Sequence, residues 1–407
     1  MRRLRGSPLL PIFLIVFIDL VGFGIIIPIL PLYAASFRAS PATIGILLAS
    51  YSLMQMVATP YLGALSDKWG RRPVLLVSQI GTLLSFVLMG FASSLPMLFA
   101  ARLLDGVSGG NISTAQAYIS DVTPERDRAK AFGLIGAAFG IGFIAGPALG
   151  GFLARDGNYA APAFAAAAIS LVTLLLTWMM LPESRPKERR VEVRTPRVLD
   201  IAAFREAIGE GQLGRLLLVF FVFNLAQAAF QSMFALFALA RHEFGARETG
   251  YVLAYVGLLA VLLQGGAIGP VVRRWGEQRV ARAGLLCAAT GLLASAWAPA
   301  WPLLLLTLAP LSVGLSLATP SLNSLLTRES SAGLFGRALG LSQSVAALAR
   351  VLGPLVAGFV FHYVGVPAPF LLASALLLLA YLVSRNLRPR PVPAASLATP
   401  RPVRTAR

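Results

Sequence analysis

The chain has 407 residues, of which 57% are hydrophobic and 13% charged, and its mean hydropathy is +0.75. This composition excludes an ordinary soluble globular protein and is typical of an integral membrane protein. The net charge of +18 is spread over short polar segments and a tail, whereas a nucleic-acid-binding face needs basic and aromatic residues clustered on a folded domain. Nucleic acid is therefore excluded as a partner, and the basic residues favour contact with anionic membrane lipids.

The apolar runs have the length that a helix needs to cross a membrane. A crossing takes about 20 apolar residues, and no run alternates apolar and polar residues as the strands of a membrane barrel do. We therefore predict an all-α membrane protein with twelve transmembrane helices. The predicted spans are residues 9–35, 43–63, 73–93, 96–119, 131–154, 160–181, 215–240, 248–271, 280–299, 302–326, 338–361 and 366–386.

The distribution of Lys and Arg predicts the orientation, because basic residues near helix ends stay on the cytoplasmic side. With twelve spans, 29 of the 35 Lys and Arg fall on the side that holds both termini. Only Arg38, Arg155, Arg241 and Arg247 fall on the other side. We predict a multi-pass protein of the cell inner membrane with both termini in the cytoplasm.

The sequence repeats itself at half its length. The segment Gly63–Arg72 recurs in part at Gly269–Gly276, and the spacing of Gly133 and Pro147 recurs at Gly340 and Pro354, with offsets of about 206 and 207 residues. Internal duplication of this kind builds many secondary transporters, whose solute site lies between the repeats. We predict two pseudo-symmetric six-helix halves, a cytoplasmic central loop and a disordered basic tail. Their limits are 1–181 and 215–386 for the halves, 182–214 for the loop and 387–407 for the tail.

Three motifs carry a resemblance to a known family. They are Gly63, Leu65, Asp67, Gly70, Arg71 and Arg72 after the second span, Arg102 with Gly106 in the fourth, and Gly146–Pro147 with Gly150 in the fifth. The chain resembles a major facilitator superfamily transporter. The segments Asp19–Gly24 and Gly109–Asn111 are similar to the drug:proton antiporters of the tetracycline-efflux-like branch. The resemblance implies the twelve-helix major facilitator fold and associates the fifth-span motif with antiport.

The fifth-span motif also has a meaning in packing. Gly142, Gly146 and Gly150 lie four residues apart, so one face of the helix has no side chains and a neighbouring helix can approach its backbone. Pro147 removes a hydrogen-bond donor from the same helix. Ordinary packing and a specific role in antiport remain alternative explanations.

Four charged residues lie well inside predicted spans, away from the span ends, where a charge at the helix centre costs about 2.5 to 3.5 kcal/mol on insertion scales. Asp19 lies near the middle of the first span, and Arg350 near the middle of the eleventh. Asp105 lies at a similar depth in the fourth span, three residues after Arg102 and on the same helix face. We predict that Asp19 carries the coupling proton, with a hydrogen-bonded acid that serves helix packing as the alternative. Arg102 and Asp105 either have a coupling or substrate role or form a structural ion pair.

Polar residues at helical spacing predict which helices line a solute cavity. Spans one, four, seven and ten each carry one polar face. The predicted cavity residues are Asn111, Gln116, Asn224, Gln227, Gln231, Asn323 and Arg350. Span seven also carries phenylalanines between Phe220 and Phe237, which either contact solutes or pack against other helices.

The family resemblance implies a gate at the cytoplasmic side. In the family, the acid of the loop motif lies near the start of the eleventh helix, which here begins around Arg337. Asp121, at the end of the fourth span, is placed to bind Arg71 or Arg72. We predict a gate composed of Gly63, Asp67, Gly70, Arg71, Arg72, Asp121 and Arg337.

These features favour a monomeric secondary transporter for proton-coupled efflux of hydrophobic or amphipathic small molecules, with no cofactor or metal. The alternative is a transporter of a physiological metabolite such as a sugar or an organic acid. A receptor or an enzyme is disfavoured, because the His, Cys and carboxylate residues have no metal-site or nucleophile spacing. Spans three and nine contain no acidic residue, whereas resemblance to tetracycline exporters implies acids there, which argues against tetracycline as the solute.

Overall fold

The structure is a computed structural model that describes residues 9–186, 188, 211–329 and 335–387. Each of the twelve predicted spans is a helix there, which confirms the predicted all-α fold. The helices are α1 (Leu9–Ile26, continued by Ile29–Ser36), α2 (Pro41–Trp69), α3 (Arg71–Gly90), α4 (Leu95–Ser108 and Asn111–Val122), α5 (Glu125–Leu153), α6 (Ala160–Met180), α7 (Gln212–His242), α8 (Ala246–Leu262, a π-helical turn Leu263–Ala267, then Ile268–Trp275), α9 (Glu277–Ala296), α10 (Trp301–Glu329), α11 (Phe335–Tyr363) and α12 (Ala368–Arg385).

Most of these helices are suited to a membrane by themselves. Among the described residues, nine helices are long and apolar enough to cross a bilayer by length and composition. The other three are α4, α5 and α9. The first of them is interrupted at Gly109–Gly110 and carries Arg102 and Asp105, whereas α5 and α9 both begin with charged residues. The chain is a multi-pass membrane protein.

The connection between α2 and α3 is shorter than the sequence predicts. Helix α2 continues to Trp69, so Gly63 and Asp67 lie on its last turns, and Gly70 alone separates it from α3. Gly70 has φ 106° and ψ 158°, a conformation essentially restricted to glycine. The corresponding Gly276 between α8 and α9 has φ 79° and ψ 150°. A side chain at Gly63 would meet nothing within 4 Å, so in this structure no neighbouring residue packs closely against it.

The two halves pack in the same way, as duplication requires. Helix α1 packs on α5 and α6 just as α7 packs on α11 and α12, and α3 packs on α4 and α6 just as α9 packs on α10 and α12. The halves meet where α2 packs on α11 and where α8 packs on α5. These two contacts are related by the same pseudo-symmetry.

The halves touch at one membrane face and stand apart at the other. We define the basic face as the face with the α2–α3, α4–α5, α8–α9 and α10–α11 connections. Near the opposite face, a Cβ on Gly45 would lie 3.1 Å from the Cα of Gly358, and a Cβ on Gly250 would lie 3.0 Å from the Cα of Gly151. These four glycines form the glycine seam. Toward the basic face, side chains on glycines of α5 and α8 would meet nothing within 4 Å; these are Gly133, Gly136, Gly265, Gly266 and Gly269. Residues 264–267 of α8 are also all exposed, so α8 has no packing partner there in the other half among the described residues, and the described part of the protein is open to the basic face.

Some predicted segments lie outside the described residues. The predicted central loop 182–214 is described only at 182–186, 188 and 211–214, and the predicted tail 387–407 only at Leu387. Helix α7 begins at Gln212, three residues before the predicted span. The backbone of Arg337 belongs to α11, but its side chain is not among those described.

Candidate functional site

Asp19 has a polar partner that lies far away in the sequence. The Nδ2 of Asn111, on α4, donates a hydrogen bond to Oδ2 of Asp19, on α1. The interruption of α4 at Gly109–Gly110 precedes Asn111, and Gln55 of α2 donates to the freed carbonyl of Gly109 at 2.9 Å. Asn111 was predicted to line the solute cavity. In the structure its amide contacts the predicted proton carrier.

Arg102 and Asp105 form a buried ion pair next to this site. Arg102 NH1 lies 2.7 Å from Asp105 Oδ2, and both side chains are about 5% exposed or less. The guanidinium also lies 4.0 Å from the centroid of the Tyr51 ring on α2, an arrangement that stabilises a desolvated cation. Tyr51 in turn accepts a hydrogen bond from Gln55 at 2.9 Å. The pair thus joins α4 to α2 in a packed network.

Arg350 belongs to the second half and lies on the other side of the interface. Helix α11, which carries it, packs on α2, and its guanidinium is within electrostatic range of Tyr51. Its side chain is exposed although it lies in the middle of a span. A charge facing lipid at this depth is costly, so we place Arg350 on the opening between the halves. Tyr51 of the first half is therefore near both Arg350 of the second half and the Arg102–Asp105 pair.

The other predicted cavity residues fall into two groups. Gln116, Gln231 and Asn323 are exposed on α4, α7 and α10. Asn224 and Gln227 are half-buried, and Asn224 donates to the carbonyl of Phe220 of its own helix at 2.7 Å.

The phenylalanines of α7 pack against other helices, so the solute-contact interpretation of this run is not supported. Phe220, Phe223, Phe230, Phe234 and Phe237 are buried. The ring centroids of Phe230 and Phe237 lie 5.5 Å and 4.0 Å from that of Phe370 on α12.

A small pocket adjoins Asp19 between α1, α3 and α4. Its lining consists of Ile15, Val16, Asp19, Leu20, Leu75, Gln79, Asn111 and Ala115. Gln79 is not among the site residues predicted from the sequence, although it is the one amide in the third predicted span. Tyr51 and Gln55 were also missed, and their four-residue spacing on a predicted helix is the signal that could have identified them.

Arg71 is the centre of a polar cluster at the basic face. Its guanidinium lies 2.8 Å from Asp67, 3.0 Å from Asp121 and 2.5 Å from the hydroxyl of Ser66. Arg71 is 7% exposed, whereas Asp67 and Asp121 are 42% and 28% exposed. The cluster holds the end of α2, the start of α3 and the end of α4 together.

The residues that follow α6 complete this cluster, and sequence reasoning missed them. Glu183 accepts hydrogen bonds from the backbone N–H groups of Arg71 and Arg72 at 2.9 and 3.2 Å. A carboxylate at this position satisfies free donors at the start of α3 and complements its helix dipole. Arg185 pairs with Asp67, and Arg72 donates to the carbonyl of Trp178 at the end of α6 at 2.5 Å. Asp67 is therefore bound by the start of α3 and by the start of the central loop, while its predicted partner Arg337 has no described side chain.

The glycines of α5 bring it close to α1. A Cβ on Gly146 would lie 2.5 Å from the Cα of Gly24, and a Cβ on Gly142 would lie 3.0 Å from the Cβ of Leu20. A Cβ on Gly150 would lie 3.0 Å from the side chain of Ile29. Pro147 lies inside the continuous helix α5. Through this motif, α5 packs directly against α1, the helix that carries Asp19. Its role in antiport stays a prediction.

The fold and the site together define a membrane transporter: two duplicated six-helix halves, open at one face, with ionisable residues at their interface. A family model described as Major Facilitator Superfamily matches residues 12–328 and 265–406. The chain belongs to the Major Facilitator Superfamily, and it is a transporter and not an enzyme.

Several known proteins are similar over most of the chain. Tetracycline resistance protein, class C, of Escherichia coli is 35% identical over 349 residues, which cover 83% of this chain and 86% of the relative. Multidrug resistance protein 2 of Bacillus subtilis is 27% identical, with 88% and 90% covered. The crystal structure of the human organic anion transporter MFSD10 (TETRAN) has a TM-score of 0.70 at 27% identity and covers 92% of this chain and 98% of its own. The nucleoside transporter NupG, with a TM-score of 0.76 at 16% identity and 94% and 100% covered, shares the fold.

Proposed function

We propose that the chain exports hydrophobic or amphipathic small molecules in exchange for protons, by alternating access between its two halves. The observation that carries this proposal is the carboxyl group of Asp19, which lies in a membrane helix of the first half and is held by Asn111. A carboxylate at this depth is costly, so changes in solvent access shift it between charged and protonated forms. Relatives that are named for tetracycline and multidrug resistance support export of this class of solute.

The proposed topology and gate follow from the basic residues. Both termini lie in the cytoplasm and the basic face is cytoplasmic, because basic residues are retained on that side. The protein works as a monomer within the lipid bilayer. The cluster around Arg71 lies at this face, and Asp67 pairs across the halves with the start of α11 near Arg337 when the cytoplasmic side closes. In the open arrangement Asp67 is held instead by Arg71 and Arg185.

Arg350 supports a second candidate function, the transport of an organic anion. An exposed guanidinium between the halves is suited to a carboxylate, because it offers paired N–H donors. A protein described as an organic anion transporter shares 27% identity with the chain. Loss of transport in Arg350→Gln for anionic solutes, together with full transport of cationic ones, would favour this candidate.

Inverted membrane vesicles test the leading proposal. A proton gradient should drive accumulation of ethidium and of other amphipathic probes, with tetracycline included in the panel. Asp19→Asn should abolish gradient-driven accumulation and leave downhill solute exchange intact, while Asp19→Glu, which keeps the carboxyl group, should retain part of the coupled activity. Unchanged coupled accumulation in Asp19→Asn would contradict the proposal.

A further inference from the structure

Gln79 is a buried amide that the proposed function does not yet use. It is 1% exposed on α3, and its Oε1 has no hydrogen-bond partner among the described residues. The residue lines the same small pocket as Asp19 and Asn111. Because a buried carbonyl without a donor is unfavourable, this acceptor requires an explanation.

The two amides around Asp19 offer opposite hydrogen-bonding groups. Asn111 donates an N–H to Asp19, and a donated hydrogen bond stabilises the charged carboxylate. A protonated carboxyl group carries one O–H and needs an acceptor. Gln79 Oε1 is an acceptor at the pocket that Asp19 also lines, and the remaining lining side chains, such as Leu75 and Ala115, are apolar.

We propose that Gln79 accepts the O–H of protonated Asp19, so that Asn111 stabilises the charged form of the carboxyl group and Gln79 the protonated form. The inference rests on the proposed role of Asp19 as proton carrier. A proton taken from water in the opening binds a carboxylate oxygen, and the resulting O–H turns toward the amide carbonyl. The same proton returns to water when that hydrogen bond breaks. Gln79 is a positioning residue, because it never carries the proton.

Other ionisable groups surround Asp19 and must be held constant in any test. Helix α4 contributes Arg102, Asp105 and Tyr118, α2 contributes Tyr51, and α11 contributes Arg350. Helices α3, α5 and α6 contribute no ionisable residue beyond their ends, and those of α7 also lie at its ends. None of these groups changes in the variants below.

Infrared difference spectroscopy of the full-length protein in lipid nanodiscs measures the protonation of Asp19 without any solute. The C=O band of the protonated carboxyl group is followed against pH, and the Asp19→Asn variant identifies the band. In Gln79→Met, a variant of similar size without the amide, the titration midpoint should move about one unit lower. That shift is the tenfold loss of proton affinity expected from one buried hydrogen bond. The C=O band should also move to higher frequency, because its O–H loses its acceptor.

Two further variants separate this role from packing. Asn111→Leu should move the midpoint in the opposite direction, to higher pH, because the carboxylate loses its donor. Ser78→Ala is the matched control: Ser78 is equally buried on α3 but donates to the carbonyl of Ser108 and does not line the pocket. It should leave the midpoint and the band unchanged. Gln79→Leu provides a second substitution if Gln79→Met is produced poorly.

The outcomes distinguish this inference from the proposed function. An Asp19 band whose midpoint and frequency are unchanged in both Gln79 variants overturns the inference alone. A shift in the same direction for Gln79→Met and Asn111→Leu also overturns it, because general loosening of the pocket would then explain both. If the C=O band is still present in the Asp19→Asn protein and that protein retains coupled transport, both the inference and the role of Asp19 are wrong.

Discussion

The two halves carry corresponding polar clusters at the basic face, and their charges are inverted. Asp67, Arg71 and Asp121 of the first half correspond, about 206 residues later, to Arg273, Glu277 and Arg328 of the second. In the first half Arg71 lies 3.0 Å from Asp121, and in the second Glu277 lies 3.0 Å from Arg328. Duplication has thus kept the position of an ion pair and exchanged its signs.

The clusters differ in how strongly they are held. In the first half the central Arg71 is buried and contacts two acids and a hydroxyl, and Glu183 fixes the start of α3. In the second half the central Glu277 accepts from Ser324 at 2.6 Å, but its partner Arg328 is 61% exposed. A buried, multiply bonded charge is costly to disturb, whereas an exposed pair contributes little. The buried Arg71 therefore stabilises the first half, whereas the pair of Glu277 and Arg328 contributes less to stability.

The largest effect is expected from charge reversal at the first cluster. Arg71→Glu would place a third acid between Asp67 and Asp121, and should lower the free energy of unfolding by about 3 kcal/mol, the lower end for a broken buried pair because both acids are partly exposed. Denaturant titration in detergent measures the change. The double variant Arg71→Glu with Asp121→Arg copies the second half and should recover part of the loss. If Glu277→Arg lowered the free energy of unfolding by the same amount, the two clusters would not differ in how strongly they are held.

The next largest loss of stability should be equal in the two halves, because both have a glycine with positive φ at the corresponding position. Gly70→Ala and Gly276→Ala each place a side chain where φ is 106° and 79°. Each should cost about 2 kcal/mol, since this region of backbone conformation is essentially restricted to glycine. Parallel denaturation curves provide the measurement. Gly63→Ala, at a helical position with open space, is the control and should not destabilise the protein.

Glu183→Gln should have a smaller effect and only in the first half. The amide keeps one acceptor oxygen but loses the charge that complements the start of α3, which contributes about 0.3 to 1 kcal/mol. Thermal unfolding at low and high salt measures it, and the difference from wild type should shrink as salt increases. A difference that is independent of salt would contradict the helix-dipole explanation.

The smallest effect is expected at the second cluster. Arg328→Gln removes an ion pair whose cation is mostly exposed, so the free energy of unfolding should change by less than about 1 kcal/mol. Transport rates should be measured in the same samples, because a freely exchanging cation affects the movement of the halves more than their stability. A loss as large as that of Arg71→Glu would show that the second cluster is as tightly held as the first.

The sequence predicted the number and type of the helices because the thickness of a membrane sets the length of each apolar run. It predicted their ends less well. Lys and Arg mark where a span leaves the apolar region, whereas α2 continues through Gly63 and Asp67 to Trp69. Helix α2 ends where the backbone leaves the helical conformation, at Gly70. The hydropathy of the sequence does not indicate that position.

At the site, the sequence identified the charged residues but few of their partners. Intramembrane Asp19, Asp105 and Arg350 stand out because charges are rare in spans. The contact of Asp19 with Asn111, and that of Arg71 with Glu183, join segments more than 90 residues apart, and a single sequence carries no information about such pairs. Asp121 was an exception, because it and Arg71 occur at the same membrane face.

Because the glycine seam lies near one membrane face, a small rotation there moves the far ends of the helices by a large distance. From Gly45 to Trp69, α2 extends about 36 Å at 1.5 Å per residue. A rotation of about 10° at the seam therefore displaces the end of α2 by roughly 6 Å. Such a displacement exceeds the reach of an ion pair, so a rotation of about 10° suffices to make or break an ion pair between the two halves at the basic face. Backbones that nearly touch at one face thus produce large displacements at the other.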